Sequence, residues 1–338
     1  MASLLRRVVL APLIIVLTAL AWVTAPLWLL IAAAVSPRLP GHWRPLRVLW
    51  MVMVYATGES LLLVVMFGLW ISSGFGRLVK TPYFQGIHYD LLQGMLWVLF
   101  REGQRVLNTA IVISGPAPEA RPSKPLIVCS RHAGPGDSFI LVGSLMNTFQ
   151  REPRIVLKYT LAWDPMFDIV LHRLPARFIR PNPRPGEDVE SQIRELAAGL
   201  DENDAFVIFP EGGNFTPKRR ERGIARLRKL GLEKMADRAE AMTHLLAPRP
   251  GGVLAALDAA PDADVAMVAH TGLDHLNAIG DIWRELPMDK QITMRWWRVQ
   301  REEIPADREA RIDWLYGWWE QIDAWIEENR PEEAKKSG

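Results

Sequence analysis

Two long apolar stretches near the start of the chain constrain its structure more than any other feature. No charged residue lies in residues 8–35, and Glu59 is the only charged residue in residues 48–75. Each stretch is long enough to cross a bilayer as a helix. Together they predict a membrane-embedded helical hairpin over residues 1–76.

Three interpretations of these stretches compete. A cleaved signal peptide would have a shorter apolar region and no second one directly behind it. The other two are a hairpin that spans the bilayer and a hairpin embedded in one leaflet. Arg38, Arg44 and Arg47 lie in the connecting loop, so the distribution of positive charge does not decide between them. Pro12 and Pro26 would bend the first helix, which favours the embedded hairpin. In both cases we expect an integral protein of the cell membrane with the domain that follows the hairpin on the cytoplasmic face.

Composition excludes several classes of protein. The formal net charge is only +2, so no overall basic field indicates a nucleic-acid partner. The single cysteine, Cys129, excludes a disulfide framework and a cysteine-rich zinc site, and no Glu-x-x-His spacing indicates another metal. Its place in a predicted strand is more typical of a small buried side chain than of a catalytic nucleophile. The 14 tryptophans favour contact with lipid, because tryptophan is enriched at membrane interfaces.

The rest of the chain has the pattern of a layered α/β domain. Apolar residues at helical spacing predict an amphipathic connecting helix within residues 77–107. Short apolar strands then alternate with helices over residues 108–330, and the last helix, 307–329, is amphipathic. We expect a mixed, largely parallel sheet flanked by helices, followed by a frayed tail at 331–338. The predicted strands are 109–114, 125–130, 154–159, 176–180, 205–209, 265–270 and 291–299.

A histidine and an aspartate follow the second predicted strand. Asp137 comes five residues after His132, across a Gly-Pro-Gly turn. This spacing lets the carboxylate fold back and orient the imidazole, which is the arrangement needed to deprotonate a hydroxyl. No Gly-x-Ser-x-Gly nucleophile accompanies the pair, so the substrate would supply the attacking hydroxyl. The alternative is that both side chains only cap local turns.

A second motif follows the predicted strand 205–209. The sequence Phe-Pro-Glu-Gly-Gly-Asn-Phe-Thr places the carboxylate of Glu211 and the flexible backbone of Gly212 and Gly213 at the edge of the sheet. Backbone amides in such a turn can hold an oxyanion or a polar headgroup. Because turns of this kind are common, this motif alone indicates little.

Together the two motifs resemble those of the glycerophospholipid acyltransferase family of the HxxxxD type, whose best-known members acylate lysophosphatidic acid. The first family motif, Asn-His-x4-Asp, matches His132 and Asp137. The third, Phe-Pro-Glu-Gly-Thr-Arg-Ser, matches residues 209–212. The second motif ends in an arginine, which matches Arg180, and the fourth is a short apolar strand, which matches residues 265–268.

The chain departs from the family at three positions. Arg131 stands where the family has asparagine, and Gly213 and Asn214 replace the threonine and arginine of the third motif. The family assigns that arginine to the phosphate of the acceptor. The resemblance therefore leaves Arg180 as the first candidate for binding this phosphate and Arg131 as the second.

A strongly basic run occupies residues 218–229, directly after the third motif. It is either the solvated face of a helix or a surface for anionic groups. Such groups include lipid headgroups, the phosphates of coenzyme A, an acidic carrier protein, or the phosphate left without its usual arginine. Its position beside the motif favours the second interpretation.

The resemblance implies transfer of a fatty acyl group from acyl-CoA or acyl carrier protein to the hydroxyl of a lysophospholipid, foremost 1-acyl-sn-glycerol-3-phosphate. His132 would act as base and Asp137 as its orienting group. Glu211, Gly212 and Gly213 would contact substrate. The expected partners are the bilayer, the acyl donor and the lysolipid, with no cofactor or metal. The alternatives are another lysolipid or glycolipid acceptor, or a membrane-anchored lipid-binding protein on the same scaffold.

Overall fold

The fold is described from a computed structural model, which describes residues 2–39, 41, 43–115, 123–134, 136–180, 188–274 and 279–331. Short π or 3-10 turns connect several of the helices. The helices are α1 Ala2–Leu5, α2 Ala11–Val23, α3 Ala25–Val35, α4 Arg44–Ser72, α5 Pro82–Leu107, α6 Asp137–Gly143, α7 Pro165–Leu171, α8 Val189–Ala197, α9 Pro217–Lys229, α10 Glu233–Ala241, α11 Pro250–Ala259, α12 Ile279–Glu285 and α13 Arg308–Asn329.

The strands are β1 Thr109–Ser114, β2 Leu126–Ser130, β3 Glu152–Lys158, β4 Ala176–Ile179, β5 Asp204–Ile208, β6 Asp264–Thr271 and β7 Lys290–Val299. Within the described residues they form one seven-stranded sheet in the order β1-β7-β6-β2-β5-β3-β4. β2 pairs in parallel with β5 and β6, and β3 pairs in parallel with β4. β7 runs antiparallel to β6. The predicted mixed, largely parallel sheet with flanking helices is confirmed.

The chain divides into two compact units. The first comprises Met1–Thr109, Ile155–Glu187 and Trp283–Asp289, and the second comprises Ala110–Arg154, Asp188–Ile282 and Lys290–Gly338. The division of the sequence into a hairpin, a connecting helix and an α/β domain stays a prediction. The predicted tail lies outside the described residues beyond residue 331.

In the first unit, two helical segments are long and apolar enough to cross a membrane, judged by length and composition: Arg6–Val23 and Arg44–Ser72. The helical path breaks at Thr24, two residues before Pro26, because proline cannot donate the backbone hydrogen bond that would continue the helix. The two segments contact each other through small polar pairs, such as Ser60 Oγ to Thr18 Oγ1 at 2.9 Å. Many of their large apolar side chains are exposed, including Leu13, Val16, Leu17, Leu20, Leu61 and Val64.

Ion pairs hold α7 in this unit. Asp168, which is fully buried, accepts hydrogen bonds from Nη2 of Arg6 and Nε of Arg7, each at 2.7 Å. Asp164, the N-cap residue of α7, accepts from the Tyr55 hydroxyl at 2.7 Å. Removing one partner of a buried pair leaves an uncompensated charge and is strongly destabilising. Side chains on the N-terminal segment and on α4 therefore fix the position of α7.

The second unit has a core of strands that are buried on both faces. Every residue of β2, β5 and β6 is buried, which is expected where helices cover both sides of a parallel sheet. Two of the late tryptophans, Trp296 and Trp319, belong to this core rather than to a lipid-facing surface, because neither has exposed area. The ring of Trp297 lies 5.9 Å from that of Trp325, between centroids.

Candidate active site

Three loops of the second unit meet at one edge of its sheet. β2 lies between β5 and β6 and runs parallel to both, so the carboxyl ends of all three strands point to the same edge. Open α/β sheets bind their ligands at this edge. The loops that leave these strands contain His132, Glu211 and Asp274.

His132 and Asp137 form a hydrogen-bonded pair at the centre of this edge. Nδ1 of His132 lies 2.9 Å from Oδ2 and 3.1 Å from Oδ1 of Asp137. An ionised carboxylate can only accept, so Nδ1 carries the proton and Nε2 is left as the basic nitrogen. The imidazole also packs against the ring of Phe209, with 4.7 Å between centroids. The predicted pairing of the two residues is present in the structure.

Asp137 is buried, with 3% of its surface exposed. Burial alone would raise the pKa of its carboxyl. The hydrogen bond from His132 and the proximity and charge of His132 and His270 outweigh this effect and hold the pKa well below its usual range. The backbone N–H groups of Gly134 and Ser138 also donate to the carboxylate. Asp137 is therefore ionised and fixed, as an orienting group must be.

Glu211 fixes the backbone of the histidine rather than facing an open cleft. Its Oε1 accepts from the N–H of His132 at 2.7 Å, and its Oε2 accepts from the N–H of Leu246 at 2.9 Å. The N–H of Phe215 donates to the carbonyl of His132 at 2.8 Å. Burial raises the pKa of Glu211 to about 7, although the two backbone hydrogen bonds and the charge of Arg131 act in the opposite direction. Both sides of the His132 peptide are thus attached to the turn after β5.

Within that turn, the two glycines have different roles. The φ of Gly212 is +69°, in the left-handed region, and its N–H donates to the carbonyl of Phe209 at 3.0 Å. That amide is therefore used to close the turn. In the part of the chain that the structure describes, no hydrogen bond is found for the N–H of Gly213, a buried residue. Gly213 is accordingly the better candidate for an oxyanion donor.

Arg131 points into the protein. Its side chain is 2% exposed, and Nη1 donates to the carbonyl of His270 and to Oδ1 of Asp274, each at 2.6 Å. Burial would raise the pKa of Asp274, but the charge of Arg131 and the hydrogen bond from Thr271 lower it. This guanidinium stabilises the loop after β6, and its placement favours a structural role over phosphate binding.

Residues 111–268 match the family model named Acyltransferase. They form an acyltransferase domain. This match confirms the prediction of an acyltransferase, and the chain is an acyl-transferring enzyme. The crystal structure of the 1-acyl-sn-glycerophosphate (LPA) acyltransferase PlsC from Thermotoga maritima is similar at 15% identity, with a TM-score of 0.44, over 78% of this chain and 95% of that chain. No curated protein sequence matches the chain.

Arg180 directly follows β4, at the end of the acyltransferase domain's predicted second motif. Its guanidinium carbon lies 4.8 Å from the centre of the Tyr159 ring, which is a cation–π contact within the first unit. Its assignment to the acceptor's phosphate stays a prediction.

Cys129 does not have the surroundings of a nucleophile. It lies in β2 with no exposed area, and burial raises the pKa of its thiol to about 12. A thiol must be deprotonated and accessible to form a thioester. The acyltransferase domain therefore offers no cysteine route for the acyl group through this residue.

The sequence patterns did not indicate that His270 belongs to this site. Its Nε2 lies 3.6 Å from Oδ2 of Asp137, longer than a hydrogen bond but within ion-pair distance. The side chain is 4% exposed. The residue lies near the end of β6, and only the pairing of β6 beside β2 shows that it reaches Asp137.

Proposed function

We propose that this acyltransferase moves a fatty acyl group from the thioester of acyl-CoA or acyl carrier protein to the free hydroxyl of a lysophospholipid, foremost 1-acyl-sn-glycerol-3-phosphate. One observation carries the proposal: His132 is hydrogen-bonded through Nδ1 to the buried Asp137, which leaves Nε2 as a base to which no residue that the structure describes is hydrogen-bonded. A base of this kind activates a hydroxyl brought by the acceptor.

In the proposed reaction, Nε2 of His132 takes the proton from the acceptor hydroxyl as its oxygen forms a bond to the thioester carbon. The carbonyl oxygen becomes an oxyanion, for which the N–H of Gly213 is the candidate donor. The intermediate collapses by breaking the carbon–sulfur bond. The departing thiolate receives the proton from Nε2, so the products are an ester and a free thiol. Asp137 stabilises the imidazolium between the two proton transfers.

Glu211 is a positioning residue in this scheme. Both of its carboxylate oxygens bind backbone N–H groups, one of them that of His132. Its effect on the acceptor would then pass through the placement of the base. Direct contact with substrate would be a different role. Loss of that contact would raise KM, whereas displacement of the base would lower kcat.

The hairpin supports anchorage in a membrane. Exposed leucines and valines along Arg6–Val23 and Arg44–Ser72 would be unfavourable in water and favourable in lipid. We propose that the protein is integral to the cell membrane with the acyltransferase domain on the cytoplasmic face, where acyl-CoA and acyl carrier protein are made. Retention in the pellet after a carbonate wash is the expected result, and release into the supernatant would contradict integral anchorage.

The test is acyl transfer by purified full-length protein with labelled acyl-CoA and labelled acyl carrier protein. The acceptors are 1-acyl-sn-glycerol-3-phosphate, other lysophospholipids, a lysoglycolipid and monoacylglycerol. The expected result is most rapid product formation with 1-acyl-sn-glycerol-3-phosphate. Preference for another acceptor would replace the assigned substrate, and lipid binding without turnover on any acceptor would contradict the proposal.

The substitution Arg180→Ala tests whether Arg180 binds the phosphate of the acceptor. If it does, KM should rise about ten- to a hundredfold for 1-acyl-sn-glycerol-3-phosphate, because a charge-assisted contact contributes roughly 1.5–3 kcal/mol. The change for monoacylglycerol should be smaller. Equal losses for the two acceptors would mean that Arg180 is structural.

A further inference from the structure

A group of arginines surrounds the turn of the third motif, where the family's own arginine is missing. A Cβ placed on Gly212 would lie 3.0–3.2 Å from three atoms of the Arg249 guanidinium. A Cβ on Gly213 would lie 2.8 Å from Nη1 of Arg219. Two guanidinium groups from distant parts of the sequence therefore pack directly on this turn.

Backbone and side-chain hydrogen bonds hold both arginines there. The N–H of Arg249 donates to the carbonyl of Pro210 at 2.8 Å, directly before α11. Nη1 of Arg219 donates to the carbonyl of Asn214 at 3.0 Å, from the first turn of α9. The backbone of Arg249 and the side chain of Arg219 are thus attached to the turn, and each guanidinium still carries donors that these contacts do not use, because a guanidinium has five N–H groups.

Nothing in the described part of the chain neutralises this charge. No acidic side chain there lies within 4.0 Å of the charged nitrogens of Arg249, Arg219 or Arg226, and all three residues are exposed. Partial burial lowers the pKa of Arg249, and the charges of Arg226 and Arg219 lower it further. Like charges near one another are unfavourable unless an anion binds between them.

The turn is also attached to the catalytic base. Its first residue, Glu211, binds the N–H of His132, and Phe215 at its far end binds the carbonyl of the same histidine. An anion bound by the arginines would consequently lie beside the reacting groups rather than on a remote surface.

We propose that Arg249 and Arg219 bind a phosphate group of a reactant at the Gly212–Asn214 turn. Arg249 thereby replaces, from another segment, the arginine that the family carries at position 214. Forked guanidinium groups match phosphate oxygens in pairs, which suits a dianionic group. The glycines are required in this arrangement because side chains there would displace the guanidinium groups. This inference rests on the proposed function.

Two reactants carry phosphate: the acceptor and coenzyme A. The experiment measures the dissociation constants of the full-length protein and its Arg249→Gln variant for 1-acyl-sn-glycerol-3-phosphate and for coenzyme A. Each ligand is paired with its phosphate-free counterpart, monoacylglycerol or pantetheine. Arg308→Gln, the same change at an exposed residue of α13, is the control.

The expected result is that affinity for one phosphate ligand falls about ten- to a hundredfold in Arg249→Gln, with its phosphate-free counterpart and the control changed less than about twofold. The ligand affected identifies the source of the phosphate. Arg219→Gln should lower the same affinity, and it carries the test if Arg249→Gln does not fold. Unchanged affinity for both phosphate ligands, or equal loss for a phosphate-free ligand, would overturn the inference. Because binding needs no turnover, the result is independent of whether the proposed reaction occurs.

Discussion

Asp137 and Glu211 are two buried carboxylates beside one histidine, and their surroundings give them opposite properties. Asp137 is 3% exposed and Glu211 is 2% exposed, so burial does not distinguish them. Asp137 faces the rings of His132 and His270, which hold its pKa well below the usual range. Glu211 faces backbone N–H groups, and burial raises its pKa to about 7. The first is suited to stabilise a positive charge that forms during catalysis, and the second to hold a backbone in place.

The largest difference between the two should appear in turnover of the Asp137→Asn variant. The amide keeps the size of the side chain but cannot stabilise the imidazolium, so kcat should fall about 10²–10⁴-fold. Acyl transfer under saturating substrate measures this loss.

Asp264→Asn is the matched control, because Asp264 is also buried. Asp264 is the first residue of β6, so it lies at the end of that strand away from the candidate active site. It pairs with Arg298 rather than with a histidine. Its effect on kcat per folded molecule should be small. A similar loss in both variants would mean that Asp137 acts only through stability.

A smaller effect is expected for Glu211→Gln. One of the two backbone N–H groups would face the amide NH₂ and lose its acceptor, so His132 would shift. Displacement of a catalytic group should lower kcat about ten- to a hundredfold with little change in KM. A raised KM with unchanged kcat would instead indicate that Glu211 contacts the acceptor, as the family resemblance implies.

The smallest expected effect concerns stability and pH. A raised pKa in the folded protein means that Glu211 contributes stability below about pH 4.5, and that this contribution is lost as the pH rises through about 7. Asp137 has the opposite sign: its contribution is present above its ordinary pKa of 3.8 and is lost only at lower pH.

Thermal unfolding between pH 5 and 8 separates these contributions. The decline of stability with rising pH should be weaker in Glu211→Gln than in the unaltered protein. If the stability of Glu211→Gln declines as steeply with rising pH as that of the unaltered protein, a group other than Glu211 causes the decline.

The strands and the pairing of His132 with Asp137 could be predicted from the sequence because both are local patterns. Apolar runs bounded by glycine and proline place β2 and β5 within one or two residues, and the five-residue spacing of His132 and Asp137 is contained in one loop. Helix α11 was not predicted, since Val253–Leu257 is buried throughout and has no amphipathic period.

The sequence did not reveal contacts made between distant segments. Arg131 was the second candidate for the acceptor's phosphate, but it turns inward to Asp274, more than a hundred residues along the chain. The guanidinium of Arg249 contacts the third-motif turn because Arg249 directly precedes α11, and the packing of that helix places it there. Such contacts depend on strand order, which local patterns do not define.

The most direct test of the central claim follows the acyl group itself. Labelled acyl-CoA is mixed with full-length protein, with and without 1-acyl-sn-glycerol-3-phosphate, and protein and lipid are separated after a rapid quench. The same is done with His132→Ala and Cys129→Ala. If His132 activates the acceptor hydroxyl for direct attack, label appears only in lipid and only with acceptor present. His132→Ala then loses several orders of magnitude in rate, and Cys129→Ala keeps its activity. Label bound to the protein without acceptor, absent in Cys129→Ala, together with near-normal transfer by His132→Ala, would contradict the account.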